Sequence, residues 1–164
     1  MNNKLPVRKH LKRIPVRIPE SQRVIYFVTV CCYEKRKIFI SDAVVCIALQ
    51  SFVKCAHFTK WNILKICFMP DHVHVLLSPE HDREQRLSKI MQRWKSSSKQ
   101  RLNRFGIEGD IWQKEFFDHL IRSEKSLTEK WDYVELNPVL AGLCEEPDNY
   151  PYLGKVNDIL SKAL

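Results

Sequence analysis

From Val24 to Tyr33 the chain is almost continuously β-branched, aromatic or otherwise apolar, with apolar side chains at odd and even positions alike. A strand with one wet face alternates, so this run predicts a central strand covered on both sides. Helical spacing follows: Ser41-Asp42 supplies a cap, and the apolar positions from Val44 to Phe58 carry a helix toward Thr59. Asn62 to Met69 predicts a second buried strand, Pro70-Asp71 a tight turn and His72 to Ser78 a third strand, close enough to pair as a hairpin. Over residues 83–104 the period changes. Leu87, Ile90, Met91, Trp94 and Leu102 fall near one helical face, while Arg86, Lys89, Arg93, Lys95 and Lys99 occupy the remainder. Beyond Phe105-Gly106 and Gly109-Asp110, the stretch Ile111 to Arg122 holds a fourth strand, and Leu127 to Leu136 a helix ahead of Pro138.

The predicted order is strand, helix, strand, strand, helix, strand, helix. A four-stranded antiparallel sheet with helices packed on one face accommodates it, an α+β, ferredoxin-like architecture. The 164 residues fit one domain that can bury a core without disulfides or a structural metal. Residues 1–20, with Pro6, Pro15 and Pro19 among basic side chains, read as an extended arm that orders on a partner. Residues 21–145 form the domain, and 146–164 a C-terminal tail.

Charge narrows the partner. The net charge of +8 favours a polyanion, because neutralising phosphates releases counterions. Its distribution says more: the arm carries Lys4, Arg8, Lys9, Lys12, Arg13 and Arg17 against Glu20, and residues 83–104 carry eight basic residues against Glu84 alone. The six cysteines include no C-x-x-C pair and sit largely in apolar runs, which reads as buried thiols in a reducing cytoplasm. The first ten residues lack the apolar stretch of a signal peptide, and no run is long enough for a membrane helix, so a cytoplasmic protein is expected.

The candidate chemistry begins in the third strand. Alternation puts His72 and His74 on one face, with Val73, Val75 and Leu77 opposite, so both imidazoles reach one point in space. Two imidazole nitrogens can ligate a divalent ion if a third donor joins them; they can equally be structural histidines. Tyr133 and Asn137 are four apart and share a helical face. Tyrosine attacks a phosphate usefully only where a metal polarises it, and a core Tyr133 with Asn137 capping a helix that starts at Pro138 is the competing reading. Trp94 is a stacking residue or, from its place on the apolar stripe, core. Arg122 suits structural or phosphate-contacting use equally, and His119 is given no catalytic role.

Phe68-Met69-Pro70-Asp71-His72-Val73-His74-Val75-Leu76-Leu77, Ile111-Trp112-Gln113, Phe117-Asp118-His119-Leu120-Ile121-Arg122 and the segment from Tyr133 through Asn137-Pro138 to Leu143 occur together in order. On these residues the chain, from about Val24 to Leu143, resembles the REP-associated tyrosine transposases of the single-tyrosine HUH superfamily, named for a histidine-hydrophobic-histidine strand. The resemblance implies a single-tyrosine HUH domain over residues 21–145, with His72, His74 and Asn137 as metal ligands, Tyr133 as nucleophile and Mg²⁺ or Mn²⁺ as the ion. It also implies a single-strand DNA endonuclease and strand transferase that leaves a 5′-phosphotyrosine link on hairpin-forming repeat DNA. The protein would act as a monomer or homodimer, cytoplasmic and associated with a bacterial nucleoid. Leu140 departs from the basic residue that relatives often carry there. Arg86, Lys89, Arg93, Lys95 and Lys99 of the helix, with Arg8, Lys9, Lys12 and Arg13 of the arm, are the expected DNA contacts. The alternative is a non-catalytic nucleic-acid-binding module or regulator derived from a transposase, with RNA as a variant partner.

Overall fold

The computed structural model describes residues 18–83 and 85–162. Its elements are β1 (Ile25–Cys31), α1 (Asp42–Thr59), β2 (Trp61–Met69), β3 (His72–Pro79), α2 (Leu87–Phe105), β4 (Phe117–Ile121), α3 (Glu124–Leu140), β5 (Leu153–Gly154) and α4 (Val156–Lys162). The strands form one sheet in the order β4-β1-β3-β2-β5, and every neighbouring pair is antiparallel. β1, β3 and β2 lie inside the sheet, as their two-sided apolar runs require.

Alternation sorts the strand residues between two cores. Val28, Val30, Ile66, Phe68, Val73, Val75 and Leu77 face α1 and α2. Ile25, Phe27, Cys67, Met69, Leu76 and Ile121 point the other way, where Val134 of α3 joins them. The first core is closed by Trp94, which stacks on Phe52 with ring centroids 4.2 Å apart and donates its indole N–H to the Ala48 carbonyl at 2.9 Å. Trp94 is therefore core, and not a stacking residue for bases.

Two expectations are corrected. The helices are not confined to one face: α3 lies on the face opposite α1 and α2, because a strand as apolar on both sides as β1 needs cover on both. The sheet has five strands rather than four, since Leu153 and Gly154 pair with Cys67 and Ile66 at the β2 edge. A two-residue strand is too short to leave a periodic trace in sequence. Residues 146–162 are docked along their length, with Ile159 buried in the main core and the Tyr150 hydroxyl donating to the Phe68 carbonyl at 2.7 Å.

The tyrosine helix is longer than Leu127 to Leu136. Ser123 caps it by accepting from the Ser126 amide at 3.1 Å. It runs through Pro138, so Asn137 is not a cap. The proline has no N–H to give the Val134 carbonyl, and the helix ends within a turn. Gly142 takes φ 71°, with amides of Gly142 and Leu143 returning to the carbonyls of Val139 and Pro138.

At the other end, Ile18 is buried and the Arg83 guanidinium donates to the carbonyls of Ile18, Pro19 and Gln22. The arm residues Arg8, Lys9, Lys12 and Arg13 lie outside the described residues. Among the described residues no helix is long and apolar enough to cross a membrane. All six thiols are unpaired, and burial pushes those of Cys32 and Cys67 up to about 12, so they stay protonated.

Candidate active site

β3 lies against β1 with Thr29 opposite His74 and Cys31 opposite His72. Both imidazoles project onto the α3 face, as alternation predicts. Each ring is held at its Nδ1: that of His72 lies 2.6 Å from an Asp71 carboxylate oxygen, and that of His74 2.8 Å from the Thr29 hydroxyl. The Nε2 atoms are turned toward one another at 3.1 Å. His74 is nearly sealed from solvent. Desolvation pushes its pKa down to about 3, assisted by His72 and Lys130 and opposed by Asp71, so the ring is neutral near pH 7.

This pair fits a divalent ion. With Nδ1–H donated to Asp71 and to Thr29, each ring keeps its lone pair on Nε2. Two nitrogens about 2.1 Å from one ion and at a right angle to each other stand about 3 Å apart, close to the separation found. Among the described residues no cluster of three or more histidines, cysteines or carboxylates is arranged to hold a metal.

Tyr133 of the same chain stands over His74. Its ring centroid is 5.3 Å from that of His74, edge to face, and 5.9 Å from that of Phe27, which itself stacks on His74 at 5.5 Å. The residue keeps 44% of its surface exposed, which a core tyrosine would not. One turn earlier on α3, the Lys130 ammonium lies 5.1 Å from the Phe27 centroid and 5.8 Å from that of Tyr133. Asn137 is half-buried one turn beyond Tyr133. Among the described residues its side chain has no hydrogen bond to either histidine. The structure thus joins His72, His74 and Tyr133, with Asn137 adjacent along the helix.

The basic residues of α2 are elsewhere. α2 packs on the face of the sheet opposite the histidines, and two of the expected DNA contacts are engaged within the protein. Lys95 is half-buried and donates to the carbonyls of Gln113 and Lys114, while Lys99 pairs with Asp110. Arg86, Lys89 and Arg93 remain exposed.

Sequence reasoning missed two neighbours, and a third it named without placing it. Thr29 is a polar residue at an alternating position within an otherwise apolar β1, a signal that was available. Lys130 precedes Tyr133 by three residues, which on a helix is one turn. His119 pairs with Phe27, so it shares the sheet face of His74, exposed two residues from Phe117; only the β1–β4 register reveals this.

A protein of Haemophilus influenzae, provisionally named a REP-associated tyrosine transposase, is 28% identical over 144 residues, which is 82% of this chain and 81% of that one. The REP-associated tyrosine transposase of Escherichia coli is 31% identical over 85 residues, about half of each chain. Among solved structures, a REP-associated tyrosine transposase bound to a REP hairpin superposes with a TM-score of 0.73 at 20% identity, covering 89% of this chain and 82% of that one, and so shares its fold. The profile of the IS200-like transposases matches residues 21–137, which takes in every strand from β1 to β4, the histidine pair and Tyr133. The chain belongs to the IS200-like transposase family, a family of DNA transposases.

Proposed function

We propose that this protein is a metal-dependent single-strand DNA endonuclease and strand transferase acting on hairpin-forming repeat DNA. The observation that carries the reading is the meeting of Tyr133 with the His72–His74 pair of its own chain across the α3 face. The hairpin substrate is suggested by the relative whose structure holds a REP hairpin.

In this reading His72 and His74, with Asn137 as the third donor, would hold a Mg²⁺ or Mn²⁺ ion, which would supply polarisation of the scissile phosphate. Asp71 and Thr29 fix the ring orientations. Tyr133 attacks phosphorus; its oxygen–phosphorus bond forms as the bond to the 3′-oxygen breaks, the phenolic proton passes to solvent, and solvent returns a proton to the departing 3′-oxygen, which leaves as a free 3′-hydroxyl. The 5′-phosphotyrosine conserves the ester, so a 3′-hydroxyl can reverse the step without ATP. Tyr133 sits beside the histidines of its own chain, the arrangement that cleavage in cis requires. The arm residues Arg8, Lys9, Lys12 and Arg13 and the exposed Arg86, Lys89 and Arg93 bind DNA phosphates; Lys95 and Lys99, already engaged, contribute little.

The test is to incubate the protein with single-stranded hairpin DNA and Mg²⁺ or Mn²⁺ and look for a covalent adduct on a denaturing gel. Wild type forms the adduct; Tyr133→Phe, His72→Ala and metal-free protein do not. Mixing His72→Ala with Tyr133→Phe restores nothing if the tyrosine acts in cis. Salt-sensitive binding with no adduct in any divalent metal would instead identify a non-catalytic DNA-binding relative.

A further inference from the structure

On the side of the sheet away from the histidines, the C-terminal half of α1 and the middle of α2 flank an open groove of about 870 Å³. Lys54, Lys89 and Arg93 bring three cations to it, and no carboxylate occurs among the described residues that line it. Its polar lining is otherwise uncharged and includes Gln92 and Gln100. Phe58, 67% exposed, carries the Arg93 guanidinium on its face, 3.9 Å from the ring centroid.

We propose that this groove is a second DNA site that takes a short run of single-stranded polynucleotide, separate from the tyrosine centre. Cations at its rim, amides able to bond base edges and an exposed aromatic able to take a base are the elements of sequence-tolerant single-strand binding. The exposed ring is the feature that favours an unpaired strand over the hairpin stem, because the bases of a duplex are already stacked on one another. Arg93 on Phe58 is already planar and pre-positioned, and a base adds a third layer to that stack. The choice of DNA rests on the transposase reading; the polyanion chemistry does not. A strand passing from the tyrosine face to this groove goes around the sheet, which would keep the flanking DNA bound while the cut end is exchanged.

The full chain carrying Phe58→Trp is titrated with a thymidine dodecamer, with the wild-type chain as the reference for the native tryptophans. The new indole is quenched on binding, in excess of any change in wild type. Lys54→Gln, Lys89→Gln and Arg93→Gln combined abolish that extra quench and, in the native background, weaken dodecamer binding by about tenfold. They also reduce the slope of log affinity against log salt by about 2, since each single-strand phosphate contact contributes about 0.7. The groove proposal is overturned if the indole at position 58 is not quenched, or if the triple substitution leaves affinity and salt slope as in wild type. Adduct formation is scored separately: adduct without quench removes only the groove, and quench without adduct removes only the transferase reading.

Discussion

Where α1 and α2 cover the sheet, Trp94, Phe52, Leu49 and Leu87 are sealed from solvent, and the indole N–H groups of Trp94 and Trp112 end on Ala48 and Ser98. Under α3 the packing is thinner and mixed: Val134 is buried there, but so are His74 and Lys65, and Tyr133 is left partly in water. One face is filled with apolar volume and satisfied donors; the other gives up apolar volume to groups that can ligate, attack or carry charge. On the proposed function, stability and chemistry are divided between the two sides of one sheet, and substitutions should divide in the same way.

The largest expected effect is on the α3 face and is chemical. Tyr133→Phe removes one exposed oxygen and should abolish the covalent DNA adduct while changing unfolding free energy by no more than about 0.5 kcal/mol, as urea titration would show. Trp94→Ala is its counterpart. It empties a fully buried site, removes the indole's hydrogen bond to the Ala48 carbonyl and should cost about 3–5 kcal/mol, with activity falling only as the folded fraction does. If Tyr133→Phe instead costs as much stability as a core substitution, the division between the faces is wrong and Tyr133 is structural.

The α1/α2 face was the more legible of the two in sequence, for a physical reason. Long apolar runs and a helix with Leu87, Ile90, Met91, Trp94 and Leu102 on one stripe announce their burial through periodicity. α3 has only Val134 and Pro138 buried, so its pattern is weak, and its bounds and its side of the sheet were misjudged. The histidine pair was legible because strand alternation needs no tertiary information, and Tyr133 because of the segment it heads. What sequence could not supply were the cross-strand partners: Thr29 against His74, His119 beside Phe27, and β5 on β2 depend on register. The engagement of Lys95 and Lys99 by the loop after α2 was also hidden, since a basic helix face looks alike whether its cations meet phosphate, carbonyls or Asp110.

An intermediate effect should follow pH. The folded pKa of His74 is about 3, below its ordinary value near 6.5, so the unfolded chain binds the proton more readily. The stability this contributes is complete above about pH 6.5 and is lost as pH falls toward 3. Metal-free protein should lose about 2 kcal/mol between pH 7 and pH 5 from this group, and His74→Gln should flatten that part of the profile. No such slope is expected from the α1/α2 core. A His74→Gln protein that keeps the full slope would place its origin in another group.

The smallest effect tests whether the α3 face tolerates buried charge or depends on it. A register shift between Ile63 and Lys65 turns Lys65 onto this face opposite Leu76, where it is 6% exposed. Its ammonium meets Glu135 at 2.7 Å and lies 4.4 Å from the Trp131 ring centroid. Both partners belong to α3, one on either side of Tyr133, so the contact ties the tyrosine helix to β2. The Glu135 carboxylate is partly exposed, and solvent screening limits what the pair contributes. Glu135→Gln keeps a hydrogen-bonding oxygen and should cost on the order of 1 kcal/mol, whereas Lys65→Met removes the desolvated charge itself and should be neutral or slightly stabilising. If the lysine is there for stability, Lys65→Met will be the more damaging of the two. If it is there to set the position of α3, both proteins will fold normally and adduct formation will fall in each, with DNA affinity unchanged.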